Sequence, residues 1–181
     1  MAYRNGIYVA FNGCGTAVPT KSDIKYYDLL KAWEKNKNID FSFIDSHSKT
    51  CQVRDDSLTT TLISRLNERL RNSKLLFLIV TENTKYGSKI VRHEITKSID
   101  DLNLPIVVAY TNKEIVKHVT DNMKEQLPYV LKTRINSNST KILFIPFKLN
   151  AIKNAFNCFG INDIKDKPND IYVYSDVDSW D

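Results

Sequence analysis

The sequence predicts an α/β fold of the flavodoxin-like, doubly wound type, in which helices cover both faces of a mostly parallel five-stranded sheet. Three observations support this prediction. Apolar runs without alternation recur along the chain, as expected of strands that are buried on both faces. Amphipathic segments with apolar residues at helical spacing lie between these runs. Strands that alternate with helices in this way form a parallel sheet, whose ligands bind outside the carboxyl ends of the strands.

The first strand is predicted over residues 6–11 and is followed by the loop 12–22. The two glycines of this loop match neither the spacing of a dinucleotide-binding fingerprint nor that of a P-loop. Ser22 or Asp23 can cap the helix that comes next. The apolar face of this helix is formed by Tyr26, Leu29, Leu30 and Trp33.

A second, short strand is predicted over residues 40–45, and the long polar loop 46–57 follows it. Loops of this length are often functional. Asp56 or Ser57 is expected to cap the second helix. The apolar face of that helix is formed by Leu58, Leu62, Ile63, Leu66 and Leu70.

The centre of the sheet is predicted between Lys74 and Tyr110. Two apolar runs, residues 74–81 and 105–110, flank a polar loop and an amphipathic segment, which makes a right-handed crossover unit. Ser88 can cap the start of the helix in this unit. The buried stripe of the helix is formed by Ile90, Val91, Ile95, Ile99 and Leu102.

The apolar residues that follow Asn112 recur at helical spacing and predict a helix that Pro128 interrupts. A fifth strand is predicted over residues 141–146. A last helix follows this strand, and its apolar face is formed by Leu149, Ile152, Phe156 and Phe159.

The length of 181 residues predicts a single domain, residues 1–170, followed by an acidic tail over residues 171–181, although residues 171–174 can add a short strand. No apolar run approaches the roughly 20 residues that span a bilayer. The N-terminus has no signal-peptide pattern. The three cysteines, at positions 14, 51 and 158, are widely spaced, which is typical of free thiols in a reducing compartment. We therefore expect a cytoplasmic protein without a membrane partner.

The net charge of +5 is unevenly distributed. Residues 163–181 contain six acidic residues and two lysines, a charge of −4, which leaves +9 for the other 162 residues. A basic body favours anionic partners such as nucleotides, although lysines that only keep helix surfaces soluble give the same charge. No arginine-rich run or interleaving of basic and aromatic residues is present, so we do not expect a nucleic-acid partner.

Glu94 is the main candidate for chemistry. It lies four residues after Ile90 and therefore borders the buried stripe in the second turn of its helix. A partly desolvated carboxylate near the carboxyl edge can take part in a reaction, but the same spacing also fits a surface glutamate on the flank of the helix. We expect Glu94 to be ionised at neutral pH. The polar residues expected at this carboxyl edge with it are Asn12, Asp45, Ser46 and Asn83, together with Phe11.

No metal site or protein-bound cofactor is expected, because the three histidines lie in different elements and no cysteine pair has zinc spacing. Cys51 with His47 remains a possible nucleophile and base. A single carboxylate also suits the cleavage of a glycosidic bond to a good leaving group, where it stabilises the positive charge that builds up on the sugar.

Three stretches resemble the TIR-like domains of bacterial Thoeris anti-phage systems, and together they cover about residues 5–112. Residues 6–11 resemble the first TIR strand, and residues 41–46 resemble the second strand with its acidic turn. The most specific match is residues 81–99, which resemble the loop and helix that carry the catalytic glutamate of the family, here Glu94. His93 stands where many relatives have Trp or Tyr.

The resemblance implies an NAD nucleosidase or ADP-ribosyl cyclase, with NAD as substrate and not as cofactor. Glu94 would be catalytic, Phe11 would line the pocket, and Asn12, Asp45, Ser46 and Asn83 would lie near the substrate. The product would be a cyclic ADP-ribose-type signal that activates a separate effector after phage infection. A phage trigger and homo-oligomerisation are further expectations.

Two alternatives remain open. A nucleoside deoxyribosyltransferase has a similar layout and uses a glutamate as nucleophile, but it needs a second acid, for which Asp45 is the candidate. A non-catalytic TIR adaptor would act by assembly alone.

Overall fold

The computed structural model describes residues 4–14, 16, 18, 22–46 and 59–174, with side chains from residue 61 onward in the last range. Several predicted features lie outside these ranges: most of the loop 46–57, with His47 and Cys51, the predicted caps Asp56 and Ser57, and residues 175–181.

The sheet has five strands in the order β1-β2-β3-β4-β5, and every neighbouring pair is parallel. The strands are β1 Gly6–Ala10, β2 Ser73–Val80, β3 Ile106–Tyr110, β4 Ile142–Pro146 and β5 Ile171–Val173. The residues of β1, β3 and β4 are all buried, as are those of β2 apart from Lys74, which explains the unbroken apolar runs in the sequence.

Helices cover both faces of the sheet, which confirms the doubly wound α/β fold. The helices are α1 Ile24–Lys35, α2 Thr59–Arg71, α3 Lys89–Thr96, α4 Asp121–Glu125, α5 Tyr129–Asn136 and α6 Leu149–Cys158. On one face, α1 and α6 bury Leu30 and Phe156. On the other face, α2, α3 and α5 bury Leu66, Ile95 and Leu131.

The α3 helix is the element that positions the candidate site. Its cap was predicted correctly, because the Ser88 side chain accepts a hydrogen bond from the Val91 backbone N–H at 3.2 Å. Beyond Thr96 the chain continues as a π-helix over Lys97–Asp101. Val91, Ile95 and Ile99 are buried against the sheet, as the helical spacing predicted.

The predicted strand over residues 40–45 is wrong as a strand. Within the described residues, this segment makes a single parallel bridge, between Asp45 and Ile7, at the free edge of β1. Side-chain packing holds this segment in place, and not a ladder of backbone hydrogen bonds. Phe41 and Phe43 are buried, and their ring centroids lie 6.0 and 5.5 Å, respectively, from that of Phe156.

The predicted helix after Asn112 is also wrong in its extent. The chain turns until Thr120, whose side chain accepts a hydrogen bond from the Met123 N–H, and only the short helix α4 follows. Pro128 does not interrupt a helix, because it occupies the position before the first turn of α5, where proline is tolerated. Ile115 is accordingly exposed, while Met123 is buried.

The sheet extends beyond the predicted domain boundary at residue 170. Strand β5 pairs with β4, so residues 171–173 belong to the sheet and not to a tail. Ile171 and Val173 pack against one core, while Tyr172 packs edge-on against Phe159 with centroids 5.7 Å apart in the other. The tail beyond residue 174 remains a prediction.

Candidate functional site

Glu94 is buried beneath the sheet on the side of α2 and α3. Its side chain extends from α3 toward the middle of β1, where Tyr8 pairs with Leu76. The Tyr8 hydroxyl donates a hydrogen bond of 2.6 Å to the Glu94 Oε1 atom. Glu94 is only 5% exposed and Tyr8 is fully buried. Glu94 is therefore not a surface residue on a helix flank, which was the alternative left open by the sequence.

Burial changes the protonation of this carboxyl group. It raises the pKa of Glu94 from 4.5 to about 8, while the Tyr8 hydrogen bond and the positive charge of Arg69 act in the opposite direction. Burial also raises the pKa of Tyr8, and the nearby Glu94 raises it further. The expectation that Glu94 is ionised at neutral pH is therefore wrong for this closed structure, in which the protonated form predominates.

Helix α2 closes the site from the side. It packs against β1 and α3, and its Arg69 acts electrostatically on both Tyr8 and Glu94. His93, the residue before Glu94, has its Nε2 atom 2.9 Å from the Asn67 Oδ1 atom of α2. This side chain therefore links the two helices.

The structure brings Asn12 and Asn83 together at the carboxyl edge, as predicted. The Asn12 Nδ2 atom donates a 2.9 Å hydrogen bond to the Asn83 backbone oxygen, and the Asn12 Oδ1 atom accepts one of 3.0 Å from the Cys14 N–H. Asn12 is buried. Its amide therefore joins the loops that follow β1 and β2.

Phe11 lies at the same edge but on the other face of the sheet from Glu94. Its ring stacks on Tyr27 of α1, with centroids 5.7 Å apart and planes inclined by 21°. It also packs against the core that α1 and α6 cover. The ring is half-buried, so part of it remains available at the edge.

Asp45 and Ser46 do not lie at the carboxyl edge, so that part of the expected arrangement is wrong. The bridge with Ile7 aligns Asp45 with the second residue of β1, because the segment meets this strand near its beginning. The Asp45 Oδ2 atom accepts a 2.5 Å hydrogen bond from the Tyr27 hydroxyl, and the Ser46 Oγ atom lies 2.6 Å from the Ser73 Oγ atom. Both side chains are buried in these contacts.

The sequence model of the family described as "Thoeris protein ThsB, TIR-like domain" matches residues 8–116, which is more than half of the chain. This region includes Tyr8 and Glu94, as well as all of the residues proposed for the carboxyl edge. The chain belongs to this family. It is a TIR-like protein of the kind found in Thoeris anti-phage defence.

One solved structure similar to this TIR-like protein is described as a conserved protein from Enterococcus faecalis V583. The two share 14% sequence identity over 84% of this chain and 97% of that chain, with a TM-score of 0.47. Similarity at this level carries no argument about function.

Sequence reasoning missed two buried polar residues of this TIR-like protein. Tyr8 lies within an apolar strand, and a buried tyrosine hydroxyl normally has a hydrogen-bond partner, so the sequence indicates that a partner exists but not which residue it is. Asp23 was predicted only as a helix cap. It is buried, and its Oδ2 atom accepts a 2.9 Å hydrogen bond from the Thr81 hydroxyl. Burial raises the pKa of Asp23.

The described ranges contain neither a metal-binding cluster nor a membrane-spanning helix. No three His, Cys, Asp or Glu residues there come together in an arrangement that would hold a metal ion. None of the described helices is both long and apolar enough to cross a bilayer. Cys14 and Cys158 are free thiols, the first of them exposed.

Proposed function

We propose that this TIR-like protein cleaves the bond between nicotinamide and ribose in NAD, with Glu94 as the catalytic residue. The observation that carries the proposal is the buried pair of Glu94 and Tyr8, which holds a carboxyl group in a fixed position inside the family-matched region. A buried carboxyl group with a strongly shifted pKa is typical of functional sites.

The chemistry requires one carboxylate. Nicotinamide leaves NAD as a neutral molecule, so no second acid has to protonate it, and positive charge builds up on the ribose. An ionised Glu94 would stabilise that charge, and removing one such electrostatic contact typically costs about 10²–10³ in rate. The Tyr8 hydroxyl would continue to donate to Oε1, which leaves Oε2 to face the ribose.

Substrate cannot reach Glu94 in the closed structure, because only 5% of the residue is exposed. Helix α2 is the element whose displacement would open the site, since it lies beside α3 and is linked to it through Asn67 and His93. A phage-derived trigger or assembly into a homo-oligomer would drive this displacement. The purified resting protein should therefore have little activity.

The resemblance to Thoeris proteins supports the remainder of the proposal. After nicotinamide release, the ADP-ribose part would be converted into a cyclic ADP-ribose-type signal that activates a separate effector. The residues near the substrate would be those of the carboxyl edge, Asn12, Asn83 and the exposed part of Phe11. Asp45 and Ser46 have no place in this arrangement, because they contact Tyr27 and Ser73 instead. The free thiols suit a reducing cytoplasm.

The closed position of Glu94 also favours a second candidate, a non-catalytic TIR adaptor that acts by assembly. A buried, protonated glutamate that accepts a hydrogen bond, as Glu94 does from Tyr8, can be purely structural. The deoxyribosyltransferase alternative loses its support, because Asp45 is buried near the beginning of β1, away from the carboxyl edge, and its carboxylate contacts Tyr27.

The deciding experiment measures nucleotides in phage-infected cells that express the parent protein or Glu94→Gln. Mass spectrometry should detect nicotinamide and an ADP-ribose-type product with the parent, and at least ~100-fold less with the variant. Glu125→Gln is the matched control, since it makes the same change at an exposed residue of α4. NAD loss at the parent rate in cells with a folded Glu94→Gln protein would exclude the catalytic role.

The same phage-infected cells distinguish an NAD-cleaving enzyme from a non-catalytic adaptor. If the parent protects against phage while NAD and its products stay constant, the adaptor function is correct. Purified protein incubated with deoxynucleosides and a free base should yield no exchanged nucleoside, as measured by chromatography.

A further inference from the structure

A cavity lies at the amino edge of the sheet, the opposite edge from Asn12 and Asn83. It has a volume of about 390 Å³, which is within the range of small-molecule sites. It is surrounded by the residues before β1 and the beginning of that strand, the segment 42–44, the start of β2, and the end of α6 with the chain that follows it. The lining contains neither Glu94 nor its contacts Tyr8 and Arg69, so this amino-edge cavity is separate from the proposed NAD site.

Two cations line the amino-edge cavity. Lys74 is the one residue of β2 that is not buried, and its side chain is 24% exposed. Arg4 precedes β1, and one of its terminal nitrogens donates to the Leu102 backbone oxygen at 3.2 Å, which fixes the side chain while other N–H groups remain. The lining also contains Asp163, so the three charges leave one net positive charge.

The position of Lys74 depends on local packing. A Cβ atom at Gly160 would lie 2.7 Å from the Asp163 Oδ2 atom and 2.9 Å from the Lys74 Cδ atom, so both side chains pack closely against this glycine. The Lys74 Nζ atom is 3.9 Å from the nearest Asp163 oxygen, too far for a direct hydrogen bond, while that oxygen accepts one of 2.9 Å from the Gly160 N–H. The Lys74 ammonium group therefore lies at the cavity and can donate hydrogen bonds to a ligand.

The remaining lining is suited to a planar ring. Ile44 is 42% exposed and presents an apolar surface at the cavity, next to the buried Phe43. Asn157 and Asn162 line the same cavity, and their carboxamides carry the donors and acceptors that recognise the edge of a nucleobase.

We propose that the amino-edge cavity binds a nucleoside monophosphate, with its phosphate at Lys74 and Arg4 and its base against Ile44. Phosphate pairs with lysine and arginine through charge-assisted hydrogen bonds, and the base adds apolar contact. This site is independent of NAD cleavage, because the residues that would recognise the nucleotide lie outside the Glu94 site.

The test is an NMR titration of ¹⁵N-labelled protein with AMP. Saturable shifts are expected at the backbone amides of residues 42–44 and 157–163. Lys74→Met, which keeps the aliphatic chain, should weaken binding at least ~10-fold, the effect of losing one charge-assisted hydrogen bond. Lys148→Met, the same change at the carboxyl edge, should bind like the parent. Ile44→Asp provides a second variant at an exposed position, and it should also weaken binding.

Several results would overturn the proposal. One is the absence of saturable shifts, and another is a set of shifts centred on Asn12 and Asn83 at the other edge. Adenosine binding as tightly as AMP would exclude phosphate recognition, and inorganic phosphate binding as tightly as AMP would exclude a contribution from the base. Parent-like AMP binding by either Lys74→Met or Ile44→Asp would show that the cavity is not the site.

Discussion

Glu94→Gln should make the folded protein more stable at alkaline pH than the parent, and equally stable in acid. Glutamine has the size of protonated glutamate, carries no charge and can accept the hydrogen bond that Tyr8 donates to Oε1. The substitution therefore reproduces the protonated form that predominates in the closed structure. What it removes is the cost of ionising a buried carboxyl group.

The magnitude follows from the two pKa values of Glu94, 4.5 when exposed in the unfolded chain and about 8 when buried. Below pH 4.5 both states hold the proton. Between pH 4.5 and 8 only the folded state holds it, so the free energy of unfolding of the parent falls by about 1.4 kcal/mol for each pH unit. Above pH 8 this loss levels off. Between pH 5 and 8.5 the difference between variant and parent should therefore grow by about 4 kcal/mol.

The assay is urea unfolding followed by circular dichroism at several values between pH 5 and 9. The comparison of the two proteins isolates Glu94, because every other titrating group is common to both. Glu125→Gln, exposed on α4, should keep a constant difference from the parent over this range. A difference between Glu94→Gln and the parent that does not change with pH would refute the reasoning, since Glu94 would then not bind a proton on folding.

Three further predictions concern Tyr8, Asn67 and the end of the chain. Tyr8→Phe removes a donor that stabilises the carboxylate, so it should raise the pKa of Glu94 further. The pKa can be measured by NMR from the carboxyl carbon resonance of Glu94, and an unchanged or lowered value would contradict the hydrogen bond. Asn67→Ala breaks the contact with α3 and should speed amide hydrogen exchange around Glu94; parent-like exchange would mean that the contact does not restrain α2. Truncation after residue 170 deletes β5 and should lower the melting temperature by about 5–10 °C. Truncation after residue 174 should have little effect, and equal melting temperatures for the two truncated proteins would show that β5 adds no stability.

The buried parts of the fold could be predicted because burial leaves a local pattern in the sequence. Strands β2, β3 and β4 are buried along almost their entire length, so each is an unbroken apolar run. The segment 40–45 has strand-like residues too, but whether it joins a ladder depends on its distance from the β1 backbone. Asp45 is the one residue of this segment that pairs with β1, at Ile7, and the local sequence pattern does not encode where the pairing stops.

The candidate site was likewise predictable only where a local sequence pattern encodes it. Helical spacing placed Glu94 at the border of the buried stripe, and the resemblance to the Thoeris family selected it. Its partner Tyr8 is 86 residues away, and no local pattern predicts which buried hydroxyl meets a buried carboxyl group. The sequence misplaces Asp45, because the end of a predicted strand is expected at the carboxyl edge of the sheet, whereas this segment meets β1 near its beginning.

Two properties of the closed structure oppose NAD cleavage, and burial is the cause of both. Only 5% of Glu94 is exposed, so substrate has no access, and burial keeps the carboxyl group mostly protonated by raising its pKa to about 8. Opening the site to water would remove the desolvation and return the pKa toward 4.5, so Glu94 would ionise at neutral pH. Under the proposed function, displacement of α2 would therefore admit NAD and produce the catalytic carboxylate in the same step. The closed protein would spare cellular NAD until a trigger arrives, and activation would need no separate proton acceptor within the protein.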